Sequence, residues 1–360
     1  MPQNGRVQRD TDVALPPLEQ DEPLTADQLF RFVRRPVEQF FAQRFKVYLR
    51  PQGELLVDDE PFSLDALQTH GLKAALLHAG SADDSAPLAA MHAEAKRMQR
   101  SGELPVQEFG SQLVDELVDL LQVQLTAYKT RMAGLSEAEG TILPLDMPAE
   151  PVQADDAGLT GQTLSCDDVQ DGMIPGLRAR PGGLHLDGED MAVRPQLAIG
   201  ALKKGPNWRW SRLLRPLFDH VLLHAAGGSA STEIYGEDGW ARVPPMERED
   251  AMQQLRLWLQ LWCEGMRRPL PVAFDTAMAW LEERGKGKTE EQCREAARKV
   301  YESGYQYMGE GEREVVLRRE YPEFTTLLKA GFESCCEPFY QVLLDLEPAF
   351  EAYRQTEDRT

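Results

Sequence analysis

The apolar positions of this chain fall first into helical stripes. In LTADQLFRFVRRPVEQFFAQRF (residues 24–45), Leu29, Phe32 and Val33, then Val37, Phe40, Phe41 and Phe45, recur three and four positions apart, which sets them on one side of a helix. Thr25 followed by Gln28 has the spacing of a capping box and predicts that the helix starts there. Pro36 has no N–H to give and should kink or restart it. KVYLRPQGELLVDDEPF reads as an extended stretch with a turn. Ser63 is placed to cap a helix in SLDALQTHGLKAALLHAG, APLAAMHAEAKRMQRSG predicts another, and residues 107–133 form a long amphipathic one.

Between 139 and 200 the pattern shortens. GTILPLDM, GLTGQTLSC, GMIPGLRAR, GLHLD and MAVRPQLAIG are β-like runs separated by Gly, Pro and Asp, the mark of several strands of a sheet. A helix is predicted over 207–226. In STEIYGEDGWARVPP (231–245) the turn residues Gly236 to Gly239 divide two alternating runs into a hairpin. Helices are expected again over 246–268, 273–284, 288–304 and 320–355, and GEGER (309–313) reads as a turn. The expected fold class is therefore α/β, a mixed sheet flanked by helices and helix-rich. Residues 1–23, rich in Pro and acids, read as a linker or arm. Residues 24–360 read as a single domain, with helices over 24–135, a strand-rich core over 139–245 and a helical part over 246–355.

Composition narrows the possibilities. A 42% apolar and 27% charged content excludes a wholly disordered chain. No run nears the roughly 18 continuous apolar residues of a membrane span, and the N-terminus lacks the apolar core of a signal peptide. The cysteines (Cys166, Cys263, Cys293, Cys335 and Cys336) form no CxxC pair, so a reduced, cytoplasmic protein without structural zinc is expected. His220 and His224 stand four apart in an apolar run with no Glu between them, and packing is the expected role rather than metal binding. The charge sum, 39 Lys+Arg against 59 Asp+Glu, is −20, which argues against a protein that coats DNA but allows a local basic surface.

One stretch inverts that sign. KKGPNWRWSRLLRP (203–216) carries Lys203, Lys204, Arg209, Arg212 and Arg215 with no acid, and Trp208 and Trp210 are interleaved. Cations attract phosphate, and an indole can stack on an unpaired base, so these seven residues are the candidate DNA-binding set. The competing reading is an amphipathic helix with Trp208, Leu213 and Leu217 in the core and its arginines paired with the acid-rich middle of the chain, residues 150–190. The arginines of the first helix (Arg31, Arg34, Arg35 and Arg44) read as a solvated or interface face. RGKGKTEEQC (284–293) lacks the spacing of a phosphate loop.

The opening helix, with LTADQLFRFVRRPVEQFF, resembles that of the RecB-like exonuclease family. EPFSLDAL (60–67), GELPVQEFG (102–110), LTGQ (159–162), RPQL (194–197), HAAGG (224–228), DGWARVPPM (238–246), EGMRRPLPV (264–272) and EAARKVYESGYQYMGEGER (295–313) then follow in order. Together they resemble more closely the C-terminal domain family of RecC-type gamma subunits of exodeoxyribonuclease V. The resemblance implies a PD-(D/E)XK, restriction-endonuclease-like fold, joined to helicase-like domains. It also implies partners: DNA as double-strand ends or forked and single strands, and RecB-type and RecD-type helicase subunits.

The chemistry of that fold can be tested on the residues. Cleavage needs carboxylates converging on Mg²⁺ and a lysine two residues after one of them on the same strand face. Of all the lysines only Lys96 has an acid two positions earlier, Glu94, and that pair lies in a helical run. Active relatives carry Gly-x3-His-x3-Glu on the long helix. Counted from Gly110, those positions hold Val114 and Val118. They also carry Gly-x-x-Asp-Arg on the first core strand, and counted from Gly161 those positions hold Leu164 and Ser165. The expectation is a catalytically silent nuclease fold with no catalytic residue, metal ligand or cofactor, which guides and splits DNA and docks partner subunits. The alternative is an active Mg²⁺-dependent nuclease using Asp167, Asp168 and Glu116; a third is a scaffold that never touches DNA. The C-terminal aromatics Phe324, Phe332, Phe339, Tyr340, Phe350 and Tyr353 are expected on helical core stripes, any exposed surplus being suited to docking.

Overall fold

A computed structural model describes residues 14–48, 66–102, 104, 108–137, 142–151, 173–188, 191–304 and 307–353. It is a helix-rich mixed α/β protein. Strand β1 (Leu24–Thr25) leads into α1 (Ala26–Arg34) and α2 (Pro36–Phe45), followed by α3 (Ala66–Ala82), α4 (Pro87–Arg100) and α5 (Glu108–Ala133). Short strands come next: β2 (Ser136–Glu137), β3 (Leu145–Met147), β4 (Glu150–Pro151), β5 (Met173–Ile174), β6 (Leu177–Ala179), β7 (His185–Asp187) and β8 (Met191–Leu197). A ribbon of β9 (Lys203–Lys204) and β10 (Asn207–Trp208) precedes α6 (Trp210–Ala225) and the hairpin of β11 (Ser231–Tyr235) and β12 (Gly239–Val243). Then come α7 (Arg248–Arg267), α8 (Phe274–Gly285), α9 (Glu290–Tyr301), α10 (Glu310–Arg313), α11 (Val315–Glu320), α12 (Phe324–Lys329) and α13 (Phe332–Asp345). The last described strand is β13 (Ala349–Ala352).

The chain forms two compact units. One comprises Met1–Pro51, Asp146–Arg178 and Arg256–Gln341; the other comprises Gln52–Leu145, Ala179–Leu255 and Val342–Thr360. In the first, the opening signals act as expected. Gln28 N donates to Thr25 Oγ1 and Thr25 N to Gln28 Oε1, closing the capping box. Pro36 ends α1 and opens α2 as its first residue, where its missing N–H costs nothing. Their apolar stripe joins a core rich in aromatics: Phe32 lies 5.7 Å from Phe339, and Tyr340 donates to the Val33 carbonyl at 2.7 Å. Trp258 donates to the Phe339 carbonyl at 2.9 Å, so these buried polar tips are satisfied. Leu15, in the stretch read as an arm, pairs with Arg267: its N–H donates to the Arg267 carbonyl and its carbonyl accepts from Arg267 Nε.

The second unit holds a six-stranded sheet in the order β13-β12-β11-β8-β7-β2. β2, β7 and β8 are antiparallel neighbours, α6 crosses over, and β11 returns parallel to β8 with Ser231 opposite Val193. Helices α3, α4 and α5 bury Leu72, Leu76, Met91, Met98, Leu121 and Leu125 together, with Leu197 of β8 packed against them. On the other face Ala192 of β8 meets Leu223 of α6.

Three boundaries differ from the pattern reading. The helix expected over 207–226 begins only at Trp210, because Asn207 and Trp208 pair as a strand with Lys204 and Lys203. The helical stretch expected to 355 ends at Asp345, and residues 349–352 turn back as β13 onto β12, with Phe350 opposite Ala241. GEGER, read as a turn, winds into the short helix α10, with Glu310 buried. The expectations at Ser63 and in GLTGQTLSC lie outside the described residues.

Candidate nucleic-acid interface

The ribbon is built by its own turn. Gly205 adopts φ +62°, open to glycine, and Pro206 follows with its ring-fixed negative φ, the sign pair that suits a tight hairpin. Lys204 and Asn207 therefore face each other across the turn, and Lys203 faces Trp208. The Lys203 ammonium sits 4.6 Å from the Trp208 ring and 4.9 Å from Phe350, which meets Trp208 edge-on at 5.9 Å.

The ribbon rests on the β11–β12 turn. Asp238 accepts from the backbone N–H groups of Leu202 at 2.7 Å and Lys203 at 2.9 Å. Gly236 lets this approach happen: a Cβ there would stand 2.5 Å from the Leu202 side chain. The Arg209 N–H closes the other end onto the Leu202 carbonyl at 2.8 Å.

The seven candidate residues divide into three groups. Lys204 and Arg209 are exposed and, among the described residues, pair with no carboxylate. Lys203 and Trp208 are half-buried and hold one another. The rest are engaged by the protein. Trp210 is 6% exposed and packs at the start of α6, so its indole faces the core and offers no surface for a base. Arg212 bonds His70 Nδ1 at 3.1 Å, and Arg215 donates to Asp219 of the same helix at 2.9 Å, rather than to the acid-rich stretch that the competing reading named. The acid that sets the ribbon, Asp238, was legible only as a turn residue, and Phe350 only as core; the contacts that matter are long-range.

Elsewhere in this unit, charge is locked inside the sheet. Arg131 at the end of α5 grips Glu233 of β11 with two hydrogen bonds of 2.9 and 3.0 Å and reaches Asp187 of β7 at 2.8 Å. That guanidinium holds the Asp187 carboxyl below its ordinary range. His220 bonds Thr232 Oγ1 at 2.8 Å and His224 bonds the Ala230 carbonyl at 3.0 Å, their rings 4.3 Å apart in the core. Burial, then the neighbouring His224, pushes the His220 pKa down to about 3. Among the described residues, no three His, Cys, Asp or Glu side chains are grouped to hold a metal.

The remaining candidate chemistry is dispersed. Val114 and Val118 face the α3–α4–α5 core. Glu94 lies on α4 and pairs with Arg97, not with Lys96. Glu116 is exposed and accepts from Gln112 on the same helix; Asp167 and Asp168 lie outside the described residues. Thr289 caps α9, so the 284–293 stretch ends one helix and starts the next. Phe324, Phe332, Phe339 and Tyr340 are buried and Phe350 and Tyr353 half-buried, so the exposed apolar side chains are others, including Phe45, Tyr48, Tyr307 and Met308. No helix among the described residues is long and apolar enough to cross a membrane.

Fold and site together define a helix-rich mixed α/β protein whose sheet carries a basic, aromatic-backed ribbon. The chain belongs to the RecC C-terminal domain family, whose sequence profile matches residues 21–285. It is 25% identical over 262 residues to the RecBCD enzyme subunit RecC of Escherichia coli (strain K12), an alignment that covers 72% of this chain and 19% of that protein. The chain thus spans about a fifth of the length of the curated relative it matches.

Proposed function

We propose that this chain is a non-catalytic, nuclease-like domain of a RecC-type gamma subunit. It guides and splits DNA ends in a cytoplasmic RecBCD-type helicase–exodeoxyribonuclease serving double-strand break repair by recombination, and it docks the RecB-type and RecD-type subunits. The observation that carries the DNA role is the ribbon, with Lys204 and Arg209 exposed beside the half-buried Trp208 in a chain of net charge −20. Two exposed cations suit phosphate, and a half-buried indole held against Phe350 gives a rigid ring for an unpaired base to stack on.

The PD-(D/E)XK reading is supported by α5, the antiparallel β7–β8 pair beside β2, the α6 crossover and parallel β11. A silent site is supported by β8, whose Met191–Leu197 sequence holds neither an acid nor a lysine. The carboxylates of Asp187 and Glu233 are neutralised by Arg131 rather than left open to a metal ion. Linear forked DNA tests both parts. The 360-residue chain should bind it in low salt and leave it intact with Mg²⁺ or Mn²⁺. Metal-dependent cutting that disappears on substituting Asp167 and Asp168 would instead establish the active-nuclease alternative.

A further inference from the structure

Asp238 is out of place on electrostatic grounds. An acid beside a surface meant for phosphate repels it, and charge alone argues for its absence. Its hydrogen bonds supply another reason for it to be there. One carboxylate takes two successive backbone N–H groups, Leu202 at 2.7 Å and Lys203 at 2.9 Å, each a charge-assisted bond. Leu202, whose N–H it receives, is fully buried and lies over Gly236, where any side chain would collide. The adjacent Glu237 binds Lys73 at 2.7 Å, and its N–H reaches the Gly200 carbonyl, so the turn is itself held on both sides. The ribbon leaves the sheet at the position where Asp238 grips it.

We infer that Asp238 is a positioning residue for nucleic-acid binding: it fixes the β9–β10 ribbon so that Lys203 stays over Trp208 and Phe350 while Lys204 and Arg209 face outward. The inference rests on the DNA reading of the ribbon and makes a prediction opposite to simple electrostatics. Removing a negative charge next to a phosphate-binding surface should tighten binding; removing this one should weaken it, because the cations lose their common geometry.

The test uses the whole chain, a forked oligonucleotide and three variants. Asp238→Ala should bind about tenfold more weakly, a shift of about 1.4 kcal/mol. Asp238→Asn keeps one acceptor oxygen and should fall between Asp238→Ala and the parent. Glu351→Gln removes the same charge from exposed β13 without touching the ribbon and should bind as tightly as the parent or tighter. The contribution of Trp208 to fluorescence, obtained by difference against Trp208→Phe, should shift to the red in Asp238→Ala even without DNA, as the indole leaves Phe350. Thermal unfolding of Asp238→Asn verifies that the chain is folded. Unchanged Trp208 emission, or Asp238→Ala binding as tightly as Glu351→Gln, overturns the positioning role. Failure of the underlying DNA reading looks different: Lys204→Ala with Arg209→Ala would leave affinity unaltered while Asp238→Ala still moves Trp208.

Discussion

Arg131 and Glu233 form a forked ion pair in which Nε and an Nη of one guanidinium meet both oxygens of one carboxylate, at 2.9 and 3.0 Å, with the Glu233 side chain 3% exposed. The pair ties the last turn of α5 to the middle of β11. Tyr235 adds a third donor at 3.1 Å, so the buried carboxylate is fully satisfied. Arg131→Met strands that charge and should destabilise the protein by about 3 kcal/mol, the low end for a broken buried pair because Arg131 is partly exposed. The double change Arg131→Met with Glu233→Leu should recover much of the loss. Chemical denaturation measures both, and a double variant no more stable than the single one would show that the pair is not an isolated unit.

The two tryptophans of the basic stretch should behave oppositely. Trp208→Ala removes a half-buried ring and should weaken single-strand binding by about 1–3 kcal/mol if it stacks on a base. Trp210→Ala empties a core position and should cost about 3–5 kcal/mol of stability. At temperatures where that variant is still folded, its DNA affinity should match the parent. Fluorescence anisotropy and thermal unfolding, run on both variants, separate the roles.

Lys204 and Arg209 are expected to set the salt dependence. Replacing both with Ala should weaken forked-DNA binding about equally across sequences. The slope of log affinity against log salt should fall by roughly 0.9 for each phosphate no longer neutralised. Titrations at several salt concentrations measure the slope. Arg215→Ala, whose guanidinium is engaged by Asp219, should alter it less.

Acid should loosen the second unit through its buried histidines. The folded pKa of His220 is depressed from 6.5 to about 3, and that of His224 is lowered too, both first by burial. The unfolded chain therefore binds more protons between these limits, and stability is lost as pH falls through about 6.5 toward 3. The Asp187 carboxyl, held low by Arg131, also loses its contribution on acidification, but below the range where histidine first acts. His220→Gln should flatten the stability profile between about pH 6.5 and 5, as read by denaturation at fixed pH steps.

Glu310 is expected to matter for the other unit. Its oxygens accept from Asp275 N at 3.0 Å, Thr276 N at 2.8 Å and the Thr276 hydroxyl at 2.7 Å, closing the start of α8 from a distant turn. Glu310→Ala leaves these groups without an acceptor and should cost about 1–3 kcal/mol for each that stays buried. Glu310→Gln retains an acceptor and should cost less. Equal losses in the two variants would mean that volume, not hydrogen bonding, is what the position supplies.

How much of this was legible in sequence depended on range. Thr25 with Gln28 declared a helix start, and Pro36 a restart, because both act within one turn of their own backbone. The GEDG turn declared the β11–β12 hairpin for the same reason, and helical spacing alone set Phe32, Phe332 and Phe339 in the core. The β9–β10 ribbon was readable in part: Gly205-Pro206 between KK and NW is a tight-turn signal, which the strong apolar period of α6 drew into a helix. Strand β13 carried almost no local mark. Four residues, AFEA, become a strand because β12 offers an edge, a tertiary decision that overrides propensity. Asp238 and Glu310 lie furthest from legibility, since each binds backbone groups some 35 residues away.

The pairing of β13 with β12 also governs how this chain can be divided. Among the described residues Gly239–Val243 gains its outer neighbour from Ala349–Ala352, so a fragment stopped after α7 would display β12 as an open edge, and Phe350 would be missing from beside Trp208 and Lys203. Open edges invite pairing with other chains. Truncation from the C-terminal side should therefore yield a protein that both self-associates and carries a slack ribbon. The same dependence applies during synthesis: the ribbon cannot reach its final setting until residue 352 has left the ribosome, which makes it one of the last surfaces of the second unit to mature.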